Sequence, residues 1–213
     1  MWMEPTTLFT LLDFLGIFAG AVDGALETIR DRRLEYDAVG VTGLALAAAL
    51  GGGMTRDVLL GRGAPLALTN PMYLGVALSG ALLTLLFHSR LGNGAAKAIL
   101  IVDAAALGLF SVAGSTRALD ARMTLLPAIL LGVVTAAGGG AWRDVLSGCP
   151  PRVFLRGQLY AIVALCASAV FVIASACGLP REIATPLGIF TGFAFRILTL
   201  KFNWRTRAIQ PND

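Results

Sequence analysis

An eleven-residue string with an arginine–aspartate pair in apolar surroundings occurs twice in this chain, 87 residues apart, and it restricts the possible folds more than any other feature. Residues 51–61 read Gly-Gly-Gly-Met-Thr-Arg-Asp-Val-Leu-Leu-Gly, and residues 138–148 read Gly-Gly-Gly-Ala-Trp-Arg-Asp-Val-Leu-Ser-Gly. The copies differ only at Met54/Ala141, Thr55/Trp142 and Leu60/Ser147. A second correspondence accompanies them: Leu12-Asp13 precedes Gly24 as Val102-Asp103 precedes Gly114, each aspartate 11 residues before its glycine. Such recurrence marks a duplicated unit.

The chain around both copies is apolar almost throughout. Hydrophobic residues make up 56% and charged residues 14%, with mean hydropathy +0.76; a soluble domain has roughly 45–50% and 25%. The pattern predicts seven spans, over residues 7–29, 38–62, 71–89, 95–116, 124–148, 154–177 and 183–201. These lie near the roughly 20 residues that cross a hydrocarbon core of about 30 Å. Turn signals separate them: Asn70-Pro71, Gly92-Asn93-Gly94, Cys149-Pro150-Pro151 and Gly178-Leu179-Pro180. The first unit holds three spans, an odd number, so its copy enters the membrane from the opposite side. The expected fold is an all-α membrane protein with seven transmembrane helices. Residues 1–92 form one three-helix repeat, 93–179 its inverted copy, and 180–213 a seventh helix and tail.

Lysine and arginine counts orient the chain. Arg62, Arg117, Arg122 and Arg181 fall on the side of the N-terminus; Arg30, Arg32, Arg33, Arg90, Lys97, Arg152, Arg156, Lys201, Arg205 and Arg207 fall on the other. Cytoplasmic loops carry the excess of basic residues, which places the N-terminus outside and the C-terminus in the cytoplasm. The net charge of +4 is explained by this loop bias and not by nucleic-acid binding. The N-terminus lacks a basic n-region and carries Glu4, unlike a cleavable signal peptide. Cys149, Cys166 and Cys177 lack metal-ligand spacing, and His88 sits beside Arg90 at a span end, so no metal or cofactor is expected.

The second and fifth spans carry Gly51, Gly52 and Gly53, and Gly138, Gly139 and Gly140. Each glycine costs a helix about 1 kcal/mol relative to alanine, so these triplets predict a kink or break at membrane depth. There, bare carbonyls facing a water-filled cavity could coordinate a cation. The alternative role is close helix packing, the reading given to Gly16, Gly20, Gly24, Gly188 and Gly192. Arg56-Asp57 and Arg143-Asp144 follow each triplet. A charge at the bilayer centre costs about 2.5–3.5 kcal/mol, so the pairs require compensation, or else lie at the interface with snorkelling arginines. Adjacent helical side chains diverge, so Arg56 is expected to pair across a helix interface in preference to Asp57. Asp13 and Asp103 hold equivalent places in the two halves, and Asp103 is the only charged residue between Lys97 and Arg117. They are candidate partners for Arg56 and Arg143, or carboxylates at a pore mouth. Four span carboxylates against these two arginines leave a negative excess that suits cations. Asp23 and Glu27 are expected to pair locally with Arg30, while Arg196 needs an acid or a headgroup.

No Walker lysine motif, His-Glu-x-x-His, serine elbow or paired-cysteine signature occurs, which argues against an enzyme. The doubled string, with Asp13 and Asp103 leading the halves, resembles the trimeric intracellular cation (TRIC) channel family in its prokaryotic branch. The resemblance implies a homotrimer embedded in membrane lipid, with a pore in each protomer lined by the second and fifth spans and passive conduction of K⁺ and Na⁺. It also implies hinge glycines at 51–53 and 138–140 and pore-side charged pairs Arg56/Asp57 and Arg143/Asp144. The animal members carry a charged Lys-Glu-Val segment where this chain has Gly51, Gly52 and Gly53, and a long lysine-rich tail that it lacks. Read from the residues alone, inverted repeats with broken helices fit equally a secondary transporter of a small zwitterion such as glycine.

Overall fold

The computed structural model describes residues 7–31, 33–61, 63–90, 95–157 and 159–206. The Gly92-Asn93-Gly94 turn, and Glu4, Arg32, Arg62 and Arg207 of the charge pattern, lie outside these residues, as do the side chains of Arg90 and Lys97. The described helices are α1 (Thr7–Arg30), α2 (Ala38–Leu60), the short α3 (Leu66–Thr69), α4 (Pro71–Phe87), α5 (Ala95–Asp120), α6 (Leu125–Leu146), α7 (Tyr160–Ala176) and α8 (Arg181–Lys201). Among the described residues, α2, residues 100–120 of α5, α6 and α8 are long and apolar enough to cross a membrane. The helices α4 and α7 are apolar but 17 residues each, and α1 carries Asp13, Asp23 and Glu27 within its 24 residues.

Local chemistry sets the helix ends. Asp37 caps α2 by accepting from the Gly40 N–H at 2.7 Å, and Gly61 closes it with φ 63°. Asn70 caps α4 through the Met72 N–H, with Pro71 at the first helical position, where its missing N–H costs nothing. Two boundaries differ from the sequence expectation by more than two residues. The fourth span continues past residue 116 to Asp120, which takes Arg117 into the helix. The sixth begins at Tyr160 and not at 154, because Arg152–Phe154 forms a separate 3₁₀ turn.

Packing is inside-out relative to a soluble domain. The buried residues are mostly small: Ala21, Ala25, Ala45, Ala104, Ala118, Ala128, Ala164 and Ala167 are each 0% exposed, whereas Leu86 is 70%, Phe190 68% and Leu126 66% exposed. Lipid tails are as apolar as leucine, so helices gain little by hiding large side chains from them and associate through close backbone approach. Helix α2 packs on α1 and α6, α5 packs on α1, α6 and α8, and α7 lies against α6 and α8.

The glycine triplets correct the expected break. Both α2 and α6 run as continuous α-helix through residues 51–53 and 138–140. A Cβ on Gly52 would land on the Thr135 carbonyl oxygen, and one on Gly139 would land on the Ala48 carbonyl oxygen. A Cβ on Gly138 would stand 3.0 Å from the Gly52 Cα, and one on Gly51 would stand 2.8 Å from the Trp142 indole. The triplets therefore let α2 and α6 cross with backbone on backbone, and their carbonyls stay in the helical ladder. The third glycine of each triplet differs. Gly140 has nothing within 4 Å of its missing Cβ, and Gly53 has only the Arg56 Nη2 at 3.8 Å.

Candidate functional site: two vestibules on either side of the α2–α6 crossing

Each arginine–aspartate pair closes on itself. The Arg56 Nε donates to Asp57 Oδ1 at 2.8 Å, and Arg143 Nη2 to Asp144 Oδ1 at 2.9 Å. This overturns the expectation that Arg56 would bond across the interface in preference to its neighbour: long side chains bend over the 100° between them. The second oxygen of each aspartate is a backbone acceptor. Asp57 Oδ2 takes the Leu66 N–H at 3.0 Å, and Asp144 Oδ2 takes the Arg152 N–H at 2.9 Å. The doubled motif thus pins the chain that leaves each crossing helix, and this bond shapes the 3₁₀ turn that delays α7. Trp142 Nε1 donates to Thr55 Oγ1 at 2.8 Å, tying the two motif copies together.

Asp13 and Asp103 do pair with arginines, but with others. Arg117 Nη2 donates to Asp13 Oδ2 at 2.7 Å, and the Tyr73 hydroxyl donates to the same oxygen at 3.0 Å. Arg196 Nε donates to Asp103 Oδ2 at 2.9 Å, its guanidinium lying 4.8 Å above the Tyr160 ring centroid. Asp23 and Glu27 do not turn to Arg30: Asp23 lies 3.7 Å from Arg143, and Glu27 accepts from Arg152 at 2.8 Å. The negative excess expected from the sequence disappears, because Arg117 lies within α5 and both it and Arg196 pair with span carboxylates. In the structure Asp13, Asp57, Asp103 and Asp144 each have an arginine, as transfer out of water demands.

These pairs line two cavities. The larger, of about 450 Å³, opens beside the Arg152–Phe154 turn and is lined by Asp23, Glu27, Asp103, Asp144, Arg143, Arg152, Arg156, Arg196, Tyr160 and Gly140 among others. Its charged wall holds four carboxylates and four arginines. The smaller, of about 20 Å³, has room for about one water and is lined by Asp13, Arg56, Asp57, Tyr73, Gly53, Phe110 and apolar residues of α1, α2 and α3. Each cavity thus receives one Arg–Asp pair, one leading aspartate, one tyrosine and the open third glycine of one triplet, while Gly51, Gly52, Gly138 and Gly139 stay at the helix contact.

Sequence reasoning passed over Tyr73, Tyr160 and Phe110. The two tyrosines stand 87 residues apart, the interval of the doubled string, so that offset marks them. Nothing in an apolar helix marks Phe110, which lines both cavities.

A sequence model of the family described as glycine transporter matches residues 10–89 and 100–176. The UPF0126 membrane protein of Deinococcus radiodurans is 38% identical over 165 residues, covering 76% of this chain and 75% of that protein. A structure solved for the basis of conductance through TRIC cation channels superposes with TM-score 0.86 at 30% identity, covering 97% of this chain and 99% of that one. The crystallised TRIC trimeric intracellular cation channel orthologue from Rhodobacter sphaeroides gives TM-score 0.84 at 36% identity over 93% of this chain and 100% of its own. This chain is therefore an all-helical membrane protein that belongs to the family described as glycine transporter, to the UPF0126 membrane proteins, and to the prokaryotic branch of the TRIC family.

Proposed function

We propose that this protein conducts K⁺ and Na⁺ passively through a path inside each protomer, as a homotrimer in a prokaryotic cell membrane. In this reading all seven long helices span the bilayer as two inverted three-helix units plus α8, with the N-terminus outside and the larger vestibule open to the cytoplasm. The observation that carries it is the pair of charge-lined cavities that share Phe110 in their walls, with Gly53 lining one and Gly140 the other. Expensive intramembrane charges that face aqueous cavities mark an ion pathway. A cation entering the larger vestibule meets Asp23, whose one ion contact among the described residues is the 3.7 Å approach of Arg143, and then the carboxylates of Asp103 and Asp144. The arginines hold these oxygens in place.

Purified protein in planar bilayers tests the proposal. Discrete unitary currents are expected, reversing near the K⁺ equilibrium potential in a KCl gradient and unchanged when chloride is replaced by gluconate. Absence of unitary events from protein shown to be folded, or reversal at the chloride potential, overturns it. The second reading, carriage of a small zwitterion such as glycine, is favoured by the balance of four carboxylates and four arginines around the larger vestibule. Saturable glycine uptake into proteoliposomes without unitary currents would select it.

A further inference from the structure

Phe110 is the one residue that lines both vestibules among those described. It sits on α5 and packs with two separate apolar clusters. One contains Ile17, Ala49 and Leu50 on the side of the smaller vestibule; the other contains Leu107, Ala136 and Val163 on the side of the larger. Its ring rests on α1 at two glycines. A Cβ on Gly16 would stand 3.2 Å from the Phe110 Cε1, and a Cβ on Gly20 would stand 3.0 Å from its Cε2. Any side chain at either glycine would push against the ring. The interval of 90 residues that relates Asp13 to Asp103 also relates Gly20 to Phe110. One half of the molecule supplies the ring and the other the gap that receives it. The helix crossing contributes no opening of its own, since α2 and α6 touch backbone to backbone there.

From this geometry we infer that the Phe110 ring is the hydrophobic partition between the two vestibules, the barrier a hydrated cation must displace to cross the protein. The inference deepens the conduction reading and rests on it for its functional meaning. An apolar ring between two polar cavities excludes water, and a constriction of this kind blocks ions by dewetting without sealing the backbone. Movement of the ring off Gly16 and Gly20 joins the cavities and leaves every Arg–Asp pair intact.

Two readouts test the partition, one independent of current. Gly53 lines the smaller vestibule with room for a side chain. In a background with Cys149, Cys166 and Cys177 replaced by serine, Gly53→Cys is treated with a membrane-impermeant trimethylammonium methanethiosulfonate. The reagent is applied only on the face where the larger vestibule opens, and modification is followed by mass spectrometry. Phe110→Ala is expected to raise the modification rate at least about tenfold, and Phe110→Leu by an intermediate factor, as removal of a dewetted barrier requires. K⁺ flux into the same vesicles is expected to rise in parallel. Reagent applied on the opposite face should modify every variant equally and so certifies the fold, with Phe110→Leu as the milder change. Unchanged modification rates in both Phe110 variants, with opposite-face reaction intact, overturn the partition and leave the channel reading standing. Faster modification without K⁺ flux in any variant supports the partition and removes the conduction reading.

Discussion

Glycines within the doubled triplets should respond to alanine with opposite signs. At Gly139 an added methyl meets the Ala48 carbonyl oxygen, a backbone atom that has no rotamer through which to yield. Relief requires α2 and α6 to separate along the whole crossing, which is overpacking at the upper end of the usual range, about 3 kcal/mol. Alanine regains up to about 1 kcal/mol of helix propensity, so Gly139→Ala should lose about 2 kcal/mol. For a chain of this length that lowers the apparent melting temperature by about 4–8 °C. Gly52→Ala should behave alike, since its methyl meets the Thr135 carbonyl oxygen. At Gly140 nothing lies within 4 Å of the added methyl. The propensity gain then stands alone, and Gly140→Ala should melt up to about 3 °C higher. Thermal unfolding in detergent of the three single variants reads both signs. If Gly139→Ala and Gly140→Ala melt together, the helices do not meet backbone to backbone and the packing argument fails.

That test separates the two roles open to a glycine run, which residue order alone could not do. A triplet announces backbone freedom and lack of bulk, but whether it breaks or packs depends on what approaches, here carbonyls of a helix more than 80 residues away. Features encoded locally were legible. Asp37, Gly61 and Asn70-Pro71 announce helix ends through capping chemistry, and apolar run length announces the helices. The doubled string pointed to the elements that cross. The ion-pair map was not legible. Asp13 meets Arg117 across 104 positions and Asp103 meets Arg196 across 93, and partner choice at such separations is fixed by helix rotation and tilt. The assignment of Arg117 to a loop followed from ending the fourth span four residues early, since hydropathy falls before the helix does.

Further outcomes follow from the ion-pair map. Arg143→Gln removes the guanidinium shared by Asp144 and Asp23 and leaves Asp144 with Arg152 at 3.4 Å. It should cost up to about 3 kcal/mol of stability, the value for a buried pair broken outright, and should change unitary conductance; unaltered melting and current would remove Arg143 from both roles. Asp103→Asn frees the Arg196 charge into the larger vestibule and should lower K⁺ conductance several-fold, by repulsion in a low-dielectric passage. A rise or no change in unitary current would contradict that. Trp142→Phe deletes the bond to Thr55, and a double-mutant cycle with Thr55→Val should give a coupling of about 1 kcal/mol. A coupling near zero would show that the bond does not hold the motif copies together.

The claim beneath all of this is that ions travel inside the protomer, past the open third glycine of each triplet. Single-channel recording of Gly140→Cys, with Cys149, Cys166 and Cys177 replaced by serine, addresses it most directly. Covalent attachment of a trimethylammonium group at residue 140 should cut the unitary K⁺ current at least several-fold, while a sulfonate of similar size should cut it far less. Equal currents before and after either modification, with attachment verified, would place the ion path outside this vestibule.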